Sequence, residues 1–444
     1  MTSDYHELAD EIAEDISTGR LAPGQKLLPQ REYAYQRGIA ASTAGRVYKE
    51  LVTRGLIAGE VGRGSYVRYA PAVRSTSLAE PPDVRVNLEM NVPGAVGKPE
   101  KLAGAFLDLV RNTEVFEQSM RSMPADGWER ARQVIASHIS FPSWVPAPGR
   151  ILFAGNGKQS LSAAITAFAG PGDRLGIEAL TYPVAKAIAE KHKIIPVPMQ
   201  MDEFGVLPGE IDRLGAGGMT RAIYLQPCLH NPTVATMPPE RREQIALRLR
   251  KYGMIAIEDR VYAFLSEDTG PPLAALAPDH VVAVDSLSKR LCAGLSIGLI
   301  VAPERFVERC RASINASGLT PQRIPLEIAV RWIVSGVAAE VEQDKREDAA
   351  NRNSLVRRAM RNWDVATDKR SYHVWLTLPD EWRVEDFVAR AGERGIAITP
   401  ASAFAIEGSK APNAVRIALA SPKFADLGPA LKTLVGLLER NSRC

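Results

Sequence analysis

Cysteine is scarce in this chain, and its four copies, Cys228, Cys292, Cys310 and Cys444, are scattered. No two share a C-x-x-C spacing, so neither a disulfide framework nor a thiolate zinc site is implied. Long apolar runs are also lacking, and none reaches the length that crosses a bilayer. The amino terminus is polar and acidic, without the apolar core of a secretory signal. A cytoplasmic protein with no membrane partner is the expectation. An excess of one charge is missing too. The net charge of +4 over 444 residues does not by itself require a nucleic-acid partner.

The distribution of charge says more than its total. From Arg20 to Tyr69 there are nine basic residues and three acids, whereas Asp4 to Asp15 carries no lysine or arginine. Such asymmetry within a short segment suits a face turned toward phosphates. The same segment has a readable order. Tyr5, Leu8, Ala9, Ile12, Ala13 and Ile16 recur at helical spacing, with Gly19 placed to stop the helix. A second short helix is expected from Gln30 to Gln36, ending at Gly38, and a third from Ser42 or Thr43 to Gly55. Leu56–Ala58 and Ser65–Val67, joined through Gly62-Arg63-Gly64, read as a hairpin.

Three helices and a hairpin make a winged helix-turn-helix. Its third helix would enter the major groove of double-stranded DNA with Ser42, Thr43 and Arg46 leading. Arg31 would approach the backbone from the second helix, and Arg63, between two glycines, a groove edge or phosphate. The bland alternative is a small interaction domain whose charges are merely solvated.

Pro71 to Pro82 has little to bury and reads as a linker, giving residues 1–70 as the first domain and 71–84 as the connection. From residue 85 to 444 apolar strands alternate with helices. They are expected at 150–153, 174–178, 194–199, 222–225, 254–257, 281–284 and 297–301, which is the pattern of an α/β domain with a mostly parallel sheet. A smaller α/β subdomain is expected from about residue 325, with strands near 373–378 and 397–400 and a helix from about Val384.

Residues with chemical potential gather where these strands end. Gly155-Asn156-Gly157-Lys158-Gln159-Ser160 is not a nucleotide P-loop, because Leu152 stands where its first glycine belongs and Gln159 where its Ser or Thr belongs. It reads instead as a glycine turn before a helix from about Ser160, whose free N–H groups suit a phosphate. Tyr182 follows the strand 174–178, Asn231 sits in a polar turn, and Asp259 and Tyr262 follow the strand 254–257. Ser286, Ser288 and Lys289 follow the strand 281–284. A carboxylate such as Asp259 at the end of a buried strand is either a cap or the partner of a cation. A lysine in the company of such an acid, of hydroxyl and amide groups and of a later arginine, Arg416, has the helpers that a Schiff base with pyridoxal phosphate needs. Their convergence on one sheet edge matches where open α/β sheets bind ligands.

Two families are resembled. Gly19-Arg20-Leu21-Ala22-Pro23-Gly24-Gln25-Lys26-Leu27, Pro29-Gln30-Arg31-Glu32 and Gly62-Arg63-Gly64-Ser65-Tyr66-Val67 resemble the GntR-type winged helix. Ala41 departs from it, standing where an arginine is common. The remainder resembles fold-type I pyridoxal phosphate enzymes of the aspartate aminotransferase group. The fusion resembles the MocR subfamily of transcription regulators.

The resemblance implies that Lys289 forms the internal aldimine and that Asp259 pairs with the pyridine nitrogen. Asn231 and Tyr262 would contact the ring hydroxyl, and Tyr182 would stack on the ring. Gly157, Lys158, Gln159, Ser286 and Ser288 would surround the phosphate, and Arg416 would grip an effector carboxylate. It further implies a homodimer that senses an amino-acid-like effector through an external aldimine. A working aminotransferase and a sensor of pyridoxal phosphate itself are the alternatives. A second departure is Ser296, in Gly294-Leu295-Ser296-Ile297-Gly298, where the family carries a phosphate-binding arginine. Its loss weakens the cofactor's hold by about 1.5–3 kcal/mol unless Lys158 or Arg290 supplies the charge.

Overall fold

A computed structural model describes residues 5–17, 20–21, 24–53, 56–60, 64–67, 85–94, 99–266 and 270–441. Arg63 and the expected linker at 71–84 lie outside the described residues. The chain divides into two compact units, Met1–Glu80 and Pro81–Cys444.

The first unit contains helices α1 (Tyr5–Ser17), α2 (Gln30–Arg37) and α3 (Ala41–Thr53), then an antiparallel hairpin of β1 (Ile57–Glu60) and β2 (Gly64–Val67). Leu8, Ala9 and Ile12 of α1 and Ala44, Val47, Tyr48 and Leu51 of α3 fall on single helical stripes and form the core. Leu27, Tyr33, Ile57 and Val67 complete it. Gly38 ends α2 at φ +62°, where its missing Cβ matters, and its N–H returns to the carbonyls of Ala34 and Tyr35. α3 starts slightly before the expected Ser42 or Thr43, because the Ala40 carbonyl accepts from the N–H groups of Thr43 and Ala44. The Tyr48 hydroxyl donates to the Leu28 carbonyl at 2.7 Å and fastens α3 to the segment before α2.

The second unit is organised around seven strands: β3 (Ile151–Ala154), β4 (Arg174–Glu178), β5 (Ile195–Met199), β6 (Thr220–Leu225), β7 (Ile255–Asp259), β8 (Val281–Ser286) and β9 (Gly298–Val301). Their order is β3-β9-β8-β7-β6-β4-β5. β9 is antiparallel to both neighbours, and the other pairings are parallel. Alternate residues serve opposite faces. Ile223 and Leu225 join one core, and Ala222 and Tyr224 the other. Both faces are covered by helices, which is why the strands read as nearly continuous apolar runs. All seven expected strands are present, with ends shifted by a residue or two.

Helix α4 (Gly157–Phe168) follows β3 directly. It opens earlier than the expected Ser160 because the Asn156 side chain caps it, accepting from the Gln159 N–H at 2.9 Å. A smaller antiparallel sheet, β10 (Val365–Ala366), β11 (His373–Thr377), β12 (Thr399–Pro400) and β13 (Ala414–Ala418), runs in the order β10-β11-β13-β12. Its core begins at Val356 and takes in Val86 and Leu88, whereas Leu326, Ile328, Ala329 and Trp332 pack in the large core. The short strand Val86–Asn87 pairs in parallel with Ile396–Ala397. Helix α5 (Val337–Ala359) contributes to both layers.

Candidate functional site

The parallel strands bring Glu178, Leu225, Asp259 and Ser286 to one edge of the large sheet, and antiparallel β9 starts there with Gly298. Packing at this edge is close. A Cβ on Gly157 would stand 2.8 Å from the Ser286 Cβ, and one on Gly298 would run into the Asn156 carbonyl and the Ser160 hydroxyl. The first turn of α4, the end of β8 and the start of β9 therefore share one small surface.

Asp259 is buried in the middle of this edge. It accepts from the Tyr224 hydroxyl at 2.7 Å, Gln226 Nε2 at 3.2 Å and the Val261 N–H at 3.1 Å. No cation pairs with it among the described residues. Burial raises its pKa to about 6, against the pull of those three donors, and the Asp285 charge adds to the rise. A buried carboxylate held only by neutral donors is stabilised by a cation delivered from outside.

Lys289 lies on the turn after β8, and its ammonium donates to the Asn91 carbonyl. Burial is the main cause of its low pKa, about 7. Arg416, Lys345 and Lys158 lower it further, and Asp259 opposes them. The neutral amine is the nucleophile, and its fraction grows as pH rises. Trapping of pyridoxal by cyanoborohydride on Lys289 should therefore rise with pH through a midpoint near 7. A midpoint near the ordinary lysine value of about 10 would mean that the cleft does not depress this amine.

Arg416 extends from β13 and is buried, with its guanidinium 5.0 Å over the Phe404 ring. It donates to Asn231 Oδ1 at 3.2 Å, to Thr399 Oγ1 at 3.1 Å and to the Glu89 carbonyl. Its Nε has no partner, and no carboxylate is hydrogen-bonded to its guanidinium among the described residues, although the Glu89 charge acts on it. Burial lowers its pKa from the ordinary arginine value, offset by Tyr262, Tyr182 and Glu89.

Tyr262 accepts from Asn91 Nδ2 at 3.0 Å, and Tyr182 lies within electrostatic reach of Tyr262, Asp259 and Arg416. The Asn231 N–H donates to Gln226 Oε1 at 2.9 Å. Ser286 Oγ accepts from the Ser288 N–H and donates to the Ile297 carbonyl, both at 3.2 Å. Ser288 Oγ reaches the Leu295 carbonyl at 3.4 Å. The side-chain oxygen of Gln159 turns back against Gly155.

Sequence reasoning missed several supports. Tyr224 and Gln226 clasp Asp259, and their signal was two polar positions at the end of an apolar strand. Asn91, Thr399 and Phe404 gave no sign at a distance. Lys345 sits on the buried stripe of α5 with Val341, Ala349 and Val356, and its ammonium donates to the Lys289 carbonyl at 2.9 Å. A lysine at helical spacing with Val341, Ala349 and Val356 is visible in principle.

In the first unit Ser42 and Arg46 are exposed and Thr43 is half-buried, on the side of α3 away from its core stripe. Arg31 is exposed on α2, and neither it nor Arg46 is paired with an acid among the described residues. Arg37 differs in pairing with Glu11 at 2.8 Å. Tyr35, also missed from the sequence, stands 87% exposed one turn along α2 from Arg31.

Comparison with known proteins agrees with both units. Residues 86–434 match the family described as aminotransferase class I and II. Residues 4–67 match the bacterial regulatory proteins of the gntR family. The chain is 28% identical to the HTH-type transcriptional regulator YdeF of Bacillus subtilis, over 94% of this chain and 90% of that one. It is 22% identical to the vitamin B6 salvage pathway transcriptional repressor PtsJ of Salmonella typhimurium, over 87% and 88%. Among solved structures, a multiple substrate aminotransferase from Thermococcus profundus superposes with a TM-score of 0.76 at 19% identity, covering 84% of this chain and 96% of that one. This likeness concerns the fold.

Proposed function

The chain belongs to the class I and II aminotransferase family with a gntR-type head, and we propose that it is a DNA-binding transcription regulator that holds pyridoxal phosphate at Lys289 and responds to an amino acid or a related amine. The observation that carries this is the charge inventory of the cleft. Asp259 is a buried anion with no cation bonded to it, while the Arg416 guanidinium and the Lys158 ammonium have no carboxylate bonded to them among the described residues. A ligand with a cationic ring N–H, a phosphate and a neighbouring acid group complements all three.

The residues present fit the cofactor. Asp259 would hold the proton on its ring nitrogen, Lys289 would attach it, and Tyr262 and Asn231 would face the ring hydroxyl beside Tyr182. When bound, pyridoxal phosphate supplies an aldehyde that condenses with amines and a ring that withdraws electrons. The chain's own part is to orient and to exchange protons. Lys289 offers a neutral amine near neutral pH, and the same amine, once released, is a base within the cleft. Asn231 turns its Oδ1 toward Arg416, which leaves Nδ2 as its donor. Arg416 selects an acid group on the effector, its guanidinium fixed from behind by Phe404.

Regulation is favoured over turnover because the two relatives described above, matched over about nine-tenths of their own length, are named as transcriptional regulators. One of them is named for vitamin B6 salvage. A regulator works only if the effector binds one arrangement of the protein better than another. A homodimer that reads paired half-sites suits the winged head. The intact set of Lys289, Asp259, Tyr262 and Arg416 supports a second reading, a working aminotransferase. Sustained production of keto acid over many turnovers would select it.

The cofactor reading is tested by the visible spectrum after addition of pyridoxal phosphate, followed by borohydride and peptide mapping. A new band fixed onto Lys289 is expected, and its absence overturns the reading. The DNA reading is tested with Arg46→Ala. Its affinity for a fragment of the region upstream of its own gene should fall by about 1–3 kcal/mol if Arg46 reads a base. Unchanged affinity would move the recognition surface elsewhere.

A further inference from the structure

We propose that Lys158 is the cation that grips the cofactor's phosphate, replacing the arginine that position 296 lacks. This rests on the reading of the cleft as a pyridoxal phosphate site and concerns how that site is completed.

Ser296 lies in the turn that leads into β9, two residues before Gly298, and Gly298 packs directly on Asn156 and Ser160. Gly157 packs on Ser286 from the other side. A charge carried on the first turn of α4 is therefore next to the ground that a long side chain at 296 would serve. A phosphate monoester needs such a charge, because N–H groups and hydroxyls alone leave most of a dianion uncompensated.

Three cations besides Lys289 and Arg416 are near enough to consider, and two are already committed. Arg290 is buried and forks onto Asp285 at 3.1 and 2.7 Å. Its remaining nitrogen reaches Glu342 at 3.3 Å, and its plane faces Phe264. Two acids hold it, so its charge is balanced within the fold. Lys345 is fully buried, and its ammonium is spent on the Lys289 carbonyl, with Glu342 and Asp348 acting on it.

Lys158 differs from both. It is half-buried at the second position of α4 and has no acid or hydrogen-bond acceptor among the described residues. Partial burial lowers its pKa, with no opposing charge to restore it. The Asn156 cap takes up the Gln159 N–H and leaves those of Gly157 and Lys158 free for a ligand. The ammonium and two N–H groups are then available to one anion beside Ser286, whose Cβ packs against Gly157.

The test compares two ligands that differ only in the phosphate. Dissociation constants of pyridoxal phosphate and pyridoxal are measured by absorbance for the full-length wild type, Lys158→Met and Lys158→Met/Ser296→Arg, with melting curves as the check on folding. Lys158→Met should bind pyridoxal phosphate about 10–100-fold more weakly and pyridoxal as before. Arginine at 296 should restore most of the difference. Equal weakening for both ligands, or none for either, overturns the inference and leaves the cofactor reading standing. A wild type that takes up neither ligand overturns both. Should Lys158→Met not fold, Lys158→Gln reads the same ratio at a half-buried helix position that tolerates glutamine.

Discussion

Lys289→Ala protein, mixed with pyridoxal phosphate and reduced with borohydride, is expected to carry no cofactor on any peptide of the cleft, where the wild type carries one per chain. The effect is all or none because the other amines nearby are otherwise placed. Lys345 points its ammonium at the Lys289 carbonyl, and Lys158 is carried on the first turn of α4. The lost attachment should not come with lost folding. The Lys289 amine is desolvated in the fold and held down to about 7, so a methyl group in its place removes a strained charge. Melting temperatures measured alongside should agree within a few degrees. Equivalent labelling of another lysine in the variant would show that the wrong amine has been assigned.

Arg416→Met is expected to erase the preference for an acid group while leaving uptake of pyridoxal phosphate in place. L-Alanine and ethylamine differ only in the carboxylate, so the ratio of their half-saturating concentrations isolates the arginine. A charge-assisted fork to a carboxylate is worth about 1.5–3 kcal/mol, or roughly 10–150-fold. That ratio should fall toward one in the variant. Methionine keeps much of the volume over Phe404, which limits repacking. Lysine at 416 should rescue only in part, because a point charge does not reproduce the planar fork. If alanine and ethylamine are already equal in the wild type, Arg416 does not read an acid and the effector class must be sought elsewhere.

Much of this was legible in the sequence, and the reasons are local. The seven strands of the large sheet are apolar runs of the right length between glycine, proline and polar turns, and such runs have few other uses. Lys289 and Asp259 could be picked out because each follows or ends one of those runs with a charge, and Arg416 because it interrupts the apolar segment Ala414–Ala418 of the smaller sheet. What was hidden depends on approach in space. Gln226 touches Asp259 across 33 residues, and Asn91 reaches Tyr262 across 171. No periodicity carries that information. The α4 start differs from the expected Ser160 because Asn156, which the sequence presents within a glycine turn, is the helix cap. The sequence leaves the choice between Lys158 and Arg290 open, and Asp285 and Glu342, which occupy the arginine, favour the lysine.

The strand Val86–Asn87, which opens the second unit and finds its partner only at Ile396–Ala397, has a consequence for how the protein is made. At a synthesis rate of about 5–20 residues per second, the partner emerges roughly 15–60 s after the strand does. For that interval Val86 and Leu88 have no core to enter, since the rest of their cluster is still being translated. The head, whose own core closes within its first unit, has its full sequence by then. A nascent chain stalled before residue 396 would therefore already possess a DNA-reading head while the small layer, and with it Arg416, does not yet exist.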